Sequence, residues 1–186
     1  MSSPDWSLPT TAQTSAAEEI ANVIVQLLQS ERGVHAETTV SAAGRLAGTF
    51  LIRSFELDLS AIAPGTPIFS EDANERGPLL FQTLSMALSE ARVPLDGSRI
   101  GEPIPSENAP QLSILEVQAR LEPAVRAIVV GAGLDLEQSA HACALAAGQL
   151  IARSTAVLEP HVGFMLAAQG FVEGSKTAPM VSSADG

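Results

Sequence analysis

Leu136, Ala140, Cys143, Ala147, Leu150, Ser154 and Val157 follow one another in alternating steps of four and three. That spacing lines one face of an α-helix and suits no strand. The members are unusually small. A second run, over 35–55, carries the stripe Val40, Ala43, Ala47, Phe50 and Leu51, with Glu37, Arg45 and Arg53 near its other side. Inside it lies the pair Gly44-x-x-x-Gly48. Small residues at a crossing let two helix backbones approach closely. Hydrophobic residues make up 46% of the chain, aromatic residues only 4%, and tyrosine is absent. A sizeable core is therefore available, built from Ala, Leu, Val and Ile.

The remaining punctuation predicts further helices. Ser15-Ala-Ala-Glu18 has the spacing of a capping box, and Ile20, Val23, Ile24, Leu27 and Leu28 follow at helical intervals up to Gly33. Residues 56–77 read as loop, with a short strand at Pro67–Phe69, and the polar cluster Ser70–Gly77 reads as a solvated linker. Pro78 is placed as the first residue of a helix that points Phe81, Leu84 and Leu88 inward. Residues 93–111 hold four prolines and two glycines and form the candidate hinge. A helix from Ser113 carries Glu116–Arg120 and Glu122–Arg126 on an exposed face, with Pro123 expected to kink or split it. Asp135 opens the next helix. Pro160 starts a shorter one, ending near Phe171.

The expected fold is all-α, a compact bundle of five or six helices with two Pro-rich loops and no regular coiled coil. One helical domain over 15–173 is flanked by a loose arm, 1–14, and a loose tail, 174–186. Leu121-Glu-Pro-Ala-Val125 echoes Leu158-Glu-Pro-His-Val162, each with its proline in a helix's first turn, but five residues do not establish a repeat.

Charge narrows the function classes. The net charge is −11 and Lys176 is the one lysine, so no basic stripe suits a phosphate backbone, and nucleic acid is not an expected partner. No apolar run reaches the roughly 18 residues of a membrane span, and the N-terminus lacks the pattern of a signal peptide. A cytoplasmic protein is expected. Cys143 stands alone, without an intrachain disulfide or a multi-cysteine zinc site.

Two strings resemble phosphate-binding motifs and fail on chemistry. Ala127-Ile-Val-Val-Gly-Ala-Gly133 has Leu136 where a dinucleotide-binding turn needs its third glycine, and Asp135 would repel the pyrophosphate. It reads as a helix end followed by a new helix capped by Asp135. Gly170-Phe-Val-Glu-Gly-Ser-Lys-Thr177 has Ser175 in place of the glycine before the lysine, and Glu173 would oppose phosphate. There is no Gly-x-Ser-x-Gly elbow, and Cys143 falls on an apolar face. No cofactor is implied.

The leading expectation is a protein that works by association, first with itself as a homodimer; the small-residue face Ala43, Gly44, Ala47 and Gly48 is read as a close helix crossing, either inside the chain or, as the candidate interface, between two copies. A second is a small-molecule or metal-binding bundle, with a catalytic role left open. Its candidate ligands are His35, Glu37, Glu159 and His161, which helix ends would have to bring together. A third is an acidic chaperone or immunity-like partner of a basic protein.

Overall fold

Six α-helices and two short 3-10 turns form in the computed structural model, which describes residues 7–181. The helices are α1 (Thr11–Leu28), α2 (Ala36–Arg53), α3 (Glu71–Glu90), α4 (Ile114–Gly131), α5 (Leu136–Ser154) and α6 (Pro160–Ser175). Most begin on a side chain that accepts an otherwise unpaired amide of the first turn. Ser113 and Asp135 do so in full capping boxes with Glu116 and Gln138. Between α4 and α5 the chain turns in a Schellman motif. The Leu134 amide donates to Val129 and the Gly133 amide to Val130, with Gly133 at φ +69°. The Gly-x-Gly string is thus a helix stop, as its chemistry predicted.

Several boundaries differ from expectation. Helix α1 starts five residues early, because Thr10-x-x-Gln13 forms the capping box that Ser15 was expected to form. Gln13 is buried, and its Nε2 donates to the Gln138 carbonyl, 3.3 Å. The part of the expected loose arm from Thr11 onward is therefore helix, whereas residues 1–6 lie outside the described residues. The expected linker Ser70–Gly77 is the start of α3. Ser70 caps Ala73, and Glu71 and Asp72 place negative charge on the helix N-terminus. Pro78 sits inside α3 and Pro123 inside α4, yet neither helix is split. Val157 is not on the α5 seam: the helix has already ended and its side chain is exposed.

The C-terminal segment is also tied down. Helix α6 runs on to Ser175, and Ala178 exchanges backbone hydrogen bonds with Gly65 and Thr66, both 2.8 Å. The Met180 amide donates to Gln118 Oε1, 2.9 Å, and the Met180 carbonyl accepts from Arg53, 2.7 Å. The loose tail therefore does not begin at 174; residues 182–186 lie outside the described residues. The strand expected at 67–69 is a single bridge, Pro67 to Thr177.

Packing sorts the helices into two layers, α1–α5–α3 and α4–α2–α6. Helix α5 is the middle of the first and α2 the middle of the second, and the two middle helices face each other. Within a layer the helices are parallel. Gln118 reaches Thr49 and Glu122 reaches Arg53; Arg76 reaches Glu137 and Thr83 reaches His141. Between layers they are antiparallel, since the end of α2 lies by the start of α5 and the start of α2 by the end of α5. A middle helix has neighbours on nearly every side. Buried positions accordingly run almost the whole length of α2 and α5, and one continuous core results.

This arrangement is a twofold repeat. Helices α1–α2–α3 correspond to α4–α5–α6, and each half inserts its middle helix between the outer helices of the other. The correspondence holds at residue level. Between α2 and α5 the numbers differ by 100: Gly33 and Gly133 both have positive φ, His35 and Asp135 are both N-caps, and Glu37, Ala42, Ala47, Gly48, Arg53 and Ser54 recur at 137, 142, 147, 148, 153 and 154. Between α1 and α4 the buried positions coincide at a difference of 101, as in Ala16/Val117, Ile20/Leu121, Ala21/Glu122 and Ile24/Val125. Between α3 and α6 they coincide at 87: Leu80/Ala167, Thr83/Gly170, Leu84/Phe171 and Leu88/Ser175. The Leu121/Leu158 echo pairs α4 with α6, which are not equivalent. The 93–111 segment joins the halves and is anchored at both ends: Asn108 donates to Glu37, 2.9 Å, and Arg99 to Glu159, 3.2 Å.

Candidate functional site

The small residues on α2 are spent inside the chain. Ala43, Gly44, Ala47 and Gly48 are all buried. A Cβ on Gly44 would stand 2.5 Å from the Ala167 carbonyl oxygen, and one on Gly48 2.5 Å from that of Phe171 and 2.6 Å from the Ser175 amide. The reciprocal glycines are Gly170 and Gly174, where a Cβ would meet Gly44 and Gly48 at 2.8 Å. Two Gly-x-x-x-Gly faces thus close on each other between α2 and α6. Of the two readings of the 43–48 face, the structure has the one within the chain: it is an internal seam and not an exposed dimer surface. Its other half lay in the sequence as Gly170-Phe-Val-Glu-Gly174, set aside with the broken phosphate motif that contains it.

The four metal candidates form two separate pairs. His35 caps α2. Its Nδ1 accepts from the Thr38 amide, 3.3 Å, so the ring proton sits on Nε2, 3.4 Å from Glu37 Oε2. Thr38 Oγ1, 2.7 Å from the same Nδ1, accepts in turn from the Gln111 amide at 3.0 Å. His161 Nδ1 lies 3.2 Å from Glu159 Oε2, and Glu159 also pairs with Arg99. Both pairs sit where helices start, at the same end of the parallel α2–α6 pair. Among the described residues no three His, Cys, Asp or Glu side chains are grouped to hold a metal ion, so these four do not make up one metal site. What the pairs do is fasten the 93–111 segment to α2 and α6.

The other polar groups are engaged as well. Arg45 and Arg53 were expected on the far side of α2, but a middle helix has no free side. Arg45 is buried, with Nε 2.7 Å from Glu173 Oε2 and Nη1 donating to the Leu112 carbonyl. Glu122, expected on an exposed face, is buried between Arg53 at 2.8 Å and Arg126 at 2.9 Å. Cys143 is fully buried, and burial, together with the charge of Glu122, pushes its thiol up, away from the nucleophilic thiolate. His141 Nδ1 lies 2.8 Å from Thr83 Oγ1. Burial lowers its pKa from the ordinary 6.5, against the pull of Glu137 and Asp135.

Two of the open concavities lie at equivalent places where the layers meet. One groove, of about 550 Å³, is lined by Phe50, Val129, Val130, Leu134 and Leu136, with Arg126, Asp135 and Glu137 among its polar members. A second, of about 420 Å³, occupies the equivalent place at the opposite end, between α1, the start of α2 and the end of α5. Leu134, Leu136, Ser139, Phe50 and Ser54 in the first match Val34, Ala36, Thr39, Leu150 and Ser154 in the second. Sequence reasoning missed both, because each draws on three helices. The recurring residues 100 apart were the signal that could have found them.

No family model matches the chain, and no curated protein or solved structure shows a significant likeness to it. No helix among the described residues is long and apolar enough to cross a membrane.

Proposed function

We propose that the protein works by binding another protein through its end grooves. The observation that carries this reading is the pair of equivalent grooves, each with an apolar floor and an exposed valine: Val130, 68% exposed, in one and Val157, 77% exposed, in the other. Apolar ground edged by polar side chains is the anatomy of a protein contact. A second copy is one occupant the grooves could take; the α2 glycines have no part in such a contact, because α6 covers them.

The test compares the wild type with Val130→Asp and Val157→Asp. Light scattering during size exclusion reads self-association. Affinity capture followed by mass spectrometry reads other partners. The expected result is a species, a second copy or one particular protein, that the wild type holds and at least one variant loses at unchanged melting temperature. A strictly monomeric wild type that captures the same set of proteins as both variants overturns the proposal.

A further inference from the structure

The two grooves are equivalent in place but opposite in charge. Net charge is −11, yet no carboxylate lines the groove at the α1–α5 end. Its one charged member is Arg153. Arg53, at the equivalent position, is neutralised by the buried Glu122. In the other half Ala21 stands where Glu122 does, and Arg153 reaches the neighbouring Asn22 instead, donating to Oδ1 at 2.7 Å. That partner is neutral, and it takes one N–H of a guanidinium that carries five.

We propose that this groove takes an extended, aliphatic peptide segment of a partner protein, with one carboxylate of that segment on Arg153. The inference rests on the association reading above and names the chemistry of what binds. Val25, Val34 and Val157 supply apolar ground for side chains pointing down, with the buried Leu150 beneath them. Asn22 and Gln26 on α1 and Gln29 at its C-cap lie along one exposed edge; the two glutamines each offer a donor and an acceptor to a peptide backbone, and Asn22 a donor. Arginine with a free fork favours a carboxylate over any neutral group. The charge on the rest of the surface would repel an acidic segment, which confines it to this groove.

The probe is the peptide acetyl-Ser-Leu-Asp-Val-Ser-amide, titrated to millimolar concentration into the full chain and followed by amide NMR shifts. Shifts are expected to cluster at 22–29, 34–39 and 150–157. Binding should weaken at least fivefold when the peptide's Asp becomes Asn, and by a similar factor in Arg153→Ala. Asn22→Asp should do the same without touching Arg153, because it supplies the missing counter-charge at the atom Arg153 already contacts. An absence of shifts at the groove, affinity indifferent to these changes, or an equal response to hexanoate alone overturns the proposal. Failure here is separable from failure of the broader reading. A partner lost from Val130→Asp but kept by Arg153→Ala leaves protein association standing and removes this groove from it.

Discussion

Gly48 and Gly148 hold equivalent positions on the two middle helices, and their surroundings differ. Gly48 faces backbone: Phe171, Gly174 and Ser175 of α6 would all lie within 2.7 Å of an added Cβ. Gly148 faces side chains of α3, the nearest being Ala87 Cβ at 2.7 Å and Leu84 Cδ1 at 3.6 Å. The cause is three residue choices. Where the first seam has Gly44, Gly170 and Gly174, the second has Ala144, Thr83 and Ala87. One interface is thus a backbone-to-backbone crossing and the other an ordinary side-chain packing. The middle helix thus closes on its outer neighbour to a distance set by glycine content, while the layer order stays the same.

The arginines sharpen the contrast and should give the largest effect. Glu122 is a buried carboxylate between two arginines, 2.8 Å from Arg53 and 2.9 Å from Arg126, so removing it deletes the centre of a buried ion-pair network. Glu122→Ala should therefore cost about 3–5 kcal/mol of unfolding free energy. Arg153→Ala, at the equivalent but exposed position, should stay within about 0.5 kcal/mol of wild type. Urea titration of both variants measures the difference. Equal losses would mean that the two ends are energetically alike and that the charge contrast between the grooves is unreal.

Next in size is the seam itself. Gly174→Ala sets a methyl group against Gly48 Cα and the Thr49 amide, each 2.8 Å away. Two helices must separate to admit it. A loss of about 2–3 kcal/mol is expected, even though alanine is the better helix former by about 1 kcal/mol. Gly148→Ala collides with one methyl group, and here the helix preference offsets most of the cost, so the net change should be under about 1 kcal/mol. Adding Ala87→Gly, which moves the glycine to the other side of the seam, should relieve the clash. If Gly174→Ala proves as mild as Gly148→Ala in the same urea titration, the crossing is looser than its geometry.

Much of the fold was legible, and what escaped has a common cause. Caps and spacing located α2, α4, α5 and α6 because those signals are local. Ser70-Glu-Asp-Ala73 was an equally local signal, outweighed by a proline whose missing amide one helix turn can tolerate. Exposure was misread for Arg45 and Glu122. Periodicity tells which residues share a face, but not how many neighbours surround the helix, and a middle helix has them all round. The repeat hid because Ala and Gly carry most of its identities, and those are common everywhere in this chain. Of the candidate site, the histidine–carboxylate pairs were visible and the grooves were not, since no single segment forms one.

The smallest expected effect lies at His141, whose counterpart on α2 is Ser41. The ring packs against α3 at Thr83, while Gly170 of α6 approaches Ser41 at the matching point. Burial lowers the His141 pKa in the folded chain, whereas the unfolded chain titrates at about the ordinary 6.5. Below that value the unfolded state binds the proton first. The contribution of His141 is therefore fully present above pH 6.5 and is lost as pH falls through the folded pKa. The groups facing the ring reduce this effect without reversing it: Glu137 and Asp135 favour the charged form, and burial outweighs them. Urea midpoints between pH 7.5 and 5 should fall for the wild type and fall less for His141→Gln. His35 and His161 remain in both proteins, so the difference isolates this one ring. Parallel slopes would show that the folded protein accommodates a charged His141 after all, and that the α3–α5 seam admits water where the α2–α6 seam does not.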